Sequence, residues 1–234
     1  MKYRSLDSTK VVDTIALLGK RIEERFPASK LKVVCDELHE IAKESQAKSE
    51  WIGRPQYGLR FAIGFVIVLG ISALVFSFSL MDVELTEFSL NDLIIYIEAA
   101  VNDLIFIGIA IFFLVTIELR VKRRRALIAL RELRSIAHVI DLHQLTKDPH
   151  RVKGPRLPTP SSPVDQMSVF ELSRYLDYCS EMLSLTGKVA ALYGQQLGDS
   201  VVTAAVNEVE TLTTGLSQKV WQKLIVLQQP DVDE

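Results

Sequence analysis

Residues 61–119 read FAIGFVIVLGISALVFSFSLMDVELTEFSLNDLIIYIEAAVNDLIFIGIAIFFLVTIEL, a run of 59 without one lysine or arginine in a chain of 234 that has 27 of them. The first part, Phe61 to Met81, is 21 residues with no charged side chain. At a helical rise of about 1.5 Å per residue that spans roughly 31 Å, the thickness of a bilayer's hydrocarbon core. The competing reading is a buried core helix of a water-soluble domain, and such helices rarely run this far without an ionisable group. The second part is less regular. Leu104–Ile117 is uncharged over only 14 residues, and Leu93–Val101 before it contains Glu98. Either a second crossing covers 98–119, with Glu98, Asn102 and Asp103 near the outer interface, or 90–101 lies on the membrane as an amphipathic helix and the crossing starts near Asp103. Both give one topology, because a charge deep in a bilayer is costly.

Basic residues crowd the two ends of this run. Arg54 and Arg60 precede it; Arg120, Lys122, Arg123, Arg124 and Arg125 follow. The connecting loop carries Asp82, Glu84, Glu87 and Asp92 and nothing positive. The excess of Lys and Arg on the cytoplasmic side predicts a two-span protein with both termini in the cytoplasm. The N-terminus lacks the apolar core of a cleavable signal peptide, and the short loops fit a bacterial inner membrane. The expected fold class is therefore an all-α membrane protein: two transmembrane helices in a hairpin, with cytoplasmic amphipathic helical hairpins on both flanks.

Those flanks show helical spacing. Val11, Ile15, Leu18 and Ile22 recur at four, three and four, and Pro27 ends the pattern. Ser29 is placed to cap a second helix carrying Leu31, Val34, Leu38 and Ile41. Beyond the second span, Leu130, Leu133, Ala137 and Ile140 form a stripe that Asp148-Pro149 stops. Five prolines within 149–163 read as an extended tether. A coiled-coil-like alternation of three and four then runs through Val169, Leu172, Leu176, Cys179, Leu183, Thr186, Ala190 and Tyr193. It resumes, past a turn at Gly194–Gly198, in Val202, Val206, Val209, Thr213, Leu216 and Val220. The seam is too rich in small residues for a self-sufficient hairpin, so the N-terminal pair or a second subunit should cover it. Cys35 and Cys179 fall at apolar positions of these stripes and read as small core residues, not as a disulfide.

The expected order is a helix pair (1–53), a juxtamembrane linker (54–60), the first span (61–81) and an acidic outer loop or interfacial helix (82–97). The second span (98–119), a basic continuation helix (120–148), a Pro-rich linker (149–166), an antiparallel helical hairpin (167–229) and an acidic tail (230–234) follow.

Few residues carry chemistry. No phosphate-cradling glycine loop, Gly-x-Ser-x-Gly turn or Cys-x-x-Cys pair occurs. His138 and Asp141, three apart on a helix, are weak candidates for metal ligands, with His143, Asp148 and His150 nearby; a helix end is the simpler reading. Arg120, Lys122, Arg123, Arg124 and Arg125 stand against a span and are expected to meet anionic lipid headgroups, not nucleic acid. Gly70, Ala73 and Ser77 make a stripe of small residues fit for close helix packing in lipid. Glu98, Asn102 and Asp103 would line an ion pathway if the hairpin oligomerised, or be plain topology signals. The functional expectation is a non-enzymatic membrane protein that self-associates or binds a cytoplasmic protein partner, without a cofactor. The alternative is an oligomeric two-span channel.

Overall fold

The computed structural model describes residues 5–53, 57–79, 90–153 and 167–229. Among them all regular structure is helical: α1 (Ser8–Arg25), α2 (Leu31–Gly53), α3 (Tyr57–Ser79), α4 (Leu90–Leu145), α5 (Pro149–Lys153), α6 (Val169–Gln196) and α7 (Ser200–Gln228). The chain divides into two compact units, Met1–Gly53 with Arg123–Glu234, and Arg54–Lys122.

The first unit is a helical bundle whose order follows from its cross-links. Asp7 caps α1 by accepting from the Thr9 and Lys10 amides at 3.0 and 3.3 Å. Ser29 Oγ accepts from Leu31 N at 3.1 Å and opens α2. Gln46 Nε2 donates to Thr9 Oγ1 at 3.1 Å and Cys35 Sγ lies 3.7 Å from the Ile15 carbonyl, so α1 and α2 are antiparallel. Arg21 pairs with Glu181, and Leu6 N reaches Gln195, which sets α1 antiparallel to α6. Phe26 stacks edge-on against Tyr175 while Tyr193 Oη donates to Ser45 Oγ at 2.9 Å, making α2 and α6 parallel. Ser180 and Ser217 meet at 3.4 Å and Gly194 faces Val206, so α6 and α7 are antiparallel. From Arg123–Asp199 through Arg134–Glu208 to Gln144–Lys223, the lower half of α4 runs parallel to α7.

Helix α6 is the hub. Leu172, Leu176, Cys179, Leu183, Thr186, Ala190 and Tyr193 are buried, as the heptad spacing implies, while Val169 at the start is 40% exposed. Tyr175, Tyr178, Met182, Leu185, Val189 and Leu192 are buried as well. An α-helix covered on so much of its circumference needs neighbours on several sides. Within this chain α1, α2 and α7 supply them. Gly187 lets α6 approach α7 closely: a Cβ there would stand 3.0 Å from Thr213 Oγ1. The α6 N-terminus is closed by a capping box between Ser168 and Glu171.

Three expectations need correction. Gly194 is not in the turn; α6 continues to Gln196 and α7 begins at Ser200, with Asp199 as its cap. In α2 the stripe shifts: Cys35, Ala42 and Ser45 are buried, whereas Ile41 is only partly so. Residues 149–153, expected in the extended tether, form α5. Proline suits a first helical position, where no amide is needed, and Asp148 Oδ1 accepts from His150 N at 3.0 Å. The rest of that tether, residues 154–166, lies outside the described residues, as do 82–89 of the outer loop and the 230–234 tail.

The second unit comprises α3 and the upper part of α4. Large apolar side chains stand exposed on both: Phe61 at 78%, Phe106 at 70% and Phe112 at 73%. Among the described residues one helix, Ala100–Val152, is long and apolar enough to cross a membrane, and its most apolar stretch is not buried. The apolar part of α3 among the described residues is the shorter Phe61–Ala73. Among the described residues the expected pair of membrane-length helices is met by one; residues 80–81 of the first expected span, 61–81, lie outside the described residues. Helix α4 passes through 90–145 without a break.

Candidate functional site

At one end of the bundle the α1–α2 connection, the end of α4 and the start of α6 enclose an open cavity of about 890 Å³. Arg25 and Lys30 come from the connection that Pro27 turns. His143 and Lys147 come from the last turn of α4 and just beyond, and Met167 and Tyr175 from the α6 side. Among the described residues that line it there is no carboxylate. Lys147 Nζ sits 4.9 Å from the centre of the Tyr175 ring. His143 is pulled below the usual imidazole range, first by burial and then by the charges of Lys30 and Lys147.

Beneath this cavity the end of α4 is capped from another helix. Lys223 Nζ donates to the Gln144 carbonyl at 2.6 Å and the Lys147 carbonyl at 2.9 Å. A cation on the last carbonyls of a helix satisfies groups that have no partner within it. The position is half-buried, and desolvation holds the Lys223 ammonium below the ordinary lysine range.

The residues singled out from sequence are scattered. His138 is exposed, and Asp141 Oδ1 accepts from Gln144 Nε2 at 2.6 Å. Among the described residues no group of three metal-ligating side chains assembles. Arg120, Arg124 and Arg125 are exposed. Lys122 Nζ instead meets Glu118 at 2.6 Å. Arg123 grips Asp199 Oδ2 through Nε at 2.9 Å and Nη2 at 2.7 Å. A Cβ built on Gly70 would come within 2.7 Å of Ile107 Cγ1 and closer still to Cδ1, so α3 and α4 touch there. The Ser77 side chain lies outside the described residues. Glu98 and Asn102 are exposed and Asp103 partly so.

Cys35 and Cys179 are buried, free thiols, both pushed up to about 12 by burial. Neither has the electropositive, accessible setting of a nucleophile.

No family model, no curated protein and no solved structure matches this chain. The reading of its function rests on its own residues.

The cavity escaped the sequence reading. Its basic lining comes from Arg25 and Lys30 on one segment and His143 and Lys147 on another, more than 100 residues away. The one available signal was His143, read with Asp148 as an ordinary helix end.

Proposed function

We propose that this chain is a non-enzymatic integral membrane protein, anchored by a two-span hairpin with both termini in the cytoplasm, whose helical bundle self-associates or recruits a protein partner. One observation carries the reading: the apolar faces of α3 and upper α4 are exposed where those of the bundle are buried. Large contiguous apolar surface on a chain that otherwise sorts its side chains correctly is matched to a membrane. The absence of Lys and Arg from 61–119 and their crowding outside it support the orientation. The Gly70–Ile107 contact supports packing of the two spans against each other. On this reading the basic run from Arg120 to Arg125 would meet anionic headgroups. Leu17, Val33, Trp221 and Ile225, exposed on α1, α2 and α7, offer apolar anchors for a partner or a second copy.

Alkaline carbonate extraction and cysteine-reactive tags at each terminus test the anchor. The protein should stay with the membrane pellet, with both tags shielded in intact cells. Release into the supernatant would refute it. Size measurement in detergent, with pull-down, tests assembly: a monomer that captures nothing removes that half of the proposal. The runner-up, an oligomeric two-span channel, draws on the exposed Glu98 and Asn102 near the start of the apolar segment. It requires liposome ion flux that Glu98→Gln and Asp103→Asn diminish.

A further inference from the structure

Taking the membrane anchor as proposed above, we infer that the α6–α7 turn is a second lipid-contacting element. The uncharged surface of Gly198, Ser200, Val201 and Ala204 rests on the headgroups beside Arg123.

Position comes from the register of α7 against α4. Arg123 holds Asp199, Arg134 meets Glu208 and Lys223 reaches the Gln144 carbonyl, so the two helices run side by side with the turn level with Arg123. Arg123 lies four residues past Leu119, the last residue of the run without Lys or Arg. Along a helix that is about 6 Å. Headgroups occupy about 5–7 Å on each side of a bilayer's hydrocarbon core. A guanidinium at that depth binds the turn directly, and the Asp199 side chain is only 10% exposed beneath it. Helix α2 ends at the same level, since Tyr193 Oη, near the end of α6, donates to Ser45 Oγ. Both chain connections to the apolar run therefore leave the bundle from the end where the turn lies.

Composition agrees with position. Between Lys188 and Glu208 the sequence has one charged residue, Asp199, in a chain that is 24% charged. That single carboxylate is matched by Arg123. The opposite end of the same helical hairpin carries Glu171, Arg174, Asp177, Lys219 and Lys223. Burial does not explain the contrast: Gly198, Ser200, Val201, Thr203 and Ala204 are all exposed, Val201 at 44%. An uncharged, small-residue surface meets an anionic leaflet without repulsion, and an exposed valine gains from the boundary between headgroups and acyl chains.

The test places one fluorophore on the full chain at Val201→Cys, Thr211→Cys or Ile225→Cys, all exposed positions of α7. Cys35 and Cys179 are buried and leave the added thiol to react. Each labelled protein is reconstituted in liposomes of mixed zwitterionic and anionic lipid, some of it carrying a contact quencher on the headgroup, and isolated by flotation. The label at 201 is expected to lose at least about half its emission and the label at 225 almost none, with 211 between, because 201 and 225 stand roughly 36 Å apart along the helix. Equal loss at all three positions, or the largest loss at 225, would overturn the inference while flotation left the anchor standing. A label at 201 shielded from aqueous iodide yet untouched by the lipid quencher would put protein on this surface and overturn it equally. Failure to float would remove the anchor and the inference together.

Discussion

Replacing Asp199 should separate two contributions that one carboxylate makes. Asp199 Oδ1 accepts from the Val201 and Val202 amides at 3.0 and 3.1 Å, capping α7. Its Oδ2 holds the Arg123 guanidinium from α4. Loss of an N-cap costs about 1 kcal/mol. The ion pair is worth less, about 0.5–1 kcal/mol, because the Arg123 side chain is 41% exposed and water screens it. Asp199→Ala should therefore cost about 1.5–2 kcal/mol. In a unit of roughly 165 residues that lowers the melting temperature by about 4–6 °C. Asp199→Asn keeps a capping oxygen and loses only the charge, so about 2 °C is expected. Thermal unfolding followed by circular dichroism at neutral pH reads both. The pH dependence has a definite sign. Arg123 holds the Asp199 carboxyl below its ordinary value of 3.8. The stabilisation is therefore fully present above 3.8 and fades as pH falls through the folded value. Both variants should lose that part of the acid sensitivity. Equal melting points for Asp199→Asn and Asp199→Ala would refute the division, and a wild-type melting point for both would refute the geometry.

Lys223→Met should expose the end of α4, with faster amide exchange at Gln144 to Lys147 and a loss of about 1–3 kcal/mol. Since folding weakens the hold of Lys223 on its proton, its contribution should grow as pH climbs toward 10.5, and the variant should lack that rise. Native Cys35 and Cys179 should resist Ellman's reagent: at about 12, roughly one thiol in ten thousand is ionised at pH 8. Rapid stoichiometric labelling without denaturant would contradict their burial. Gly70→Leu should lower stability in detergent by about 1–3 kcal/mol, because Ile107 must move. Gly64→Leu is the control, having nothing within 4 Å of its Cβ position, and equal losses would count against the α3–α4 contact.

Period and punctuation made much of the helical order legible. The Val11–Ile22 stripe and the heptads of α6 and α7, Val169 excepted, are buried residue by residue, because a 3.6-residue period maps directly onto one helix face. The second buried face of α6 was harder to see. Tyr175, Tyr178 and Met182 do not register as core in a strict a/d pattern, yet all three are buried, the two rings edge-on to Phe26 at the end of α1. In α2 small residues displaced a large one: Ala42 and Ser45 allow the Tyr193 hydroxyl to reach in, and a periodicity count favours Ile41 instead. Pro149 was read only as a breaker, although proline also starts helices. The cavity was illegible for a different reason. Its cations are unremarkable surface residues on each segment, and only the parallel alignment of α2 with α6 brings their starts together.

Helix α6 shields α1 and α2 on one side, yet it is made long after them. Synthesis from Gly53 to Gln196 takes on the order of ten seconds, and the whole apolar run emerges in that interval. The first two helices must therefore wait, their greasy sides unprotected on the ribosome, until the last third of the chain arrives to complete them. Any truncation before Val169 should leave them aggregation-prone or chaperone-bound. The order of synthesis is thereby fixed: the apolar run emerges first, and the bundle closes last.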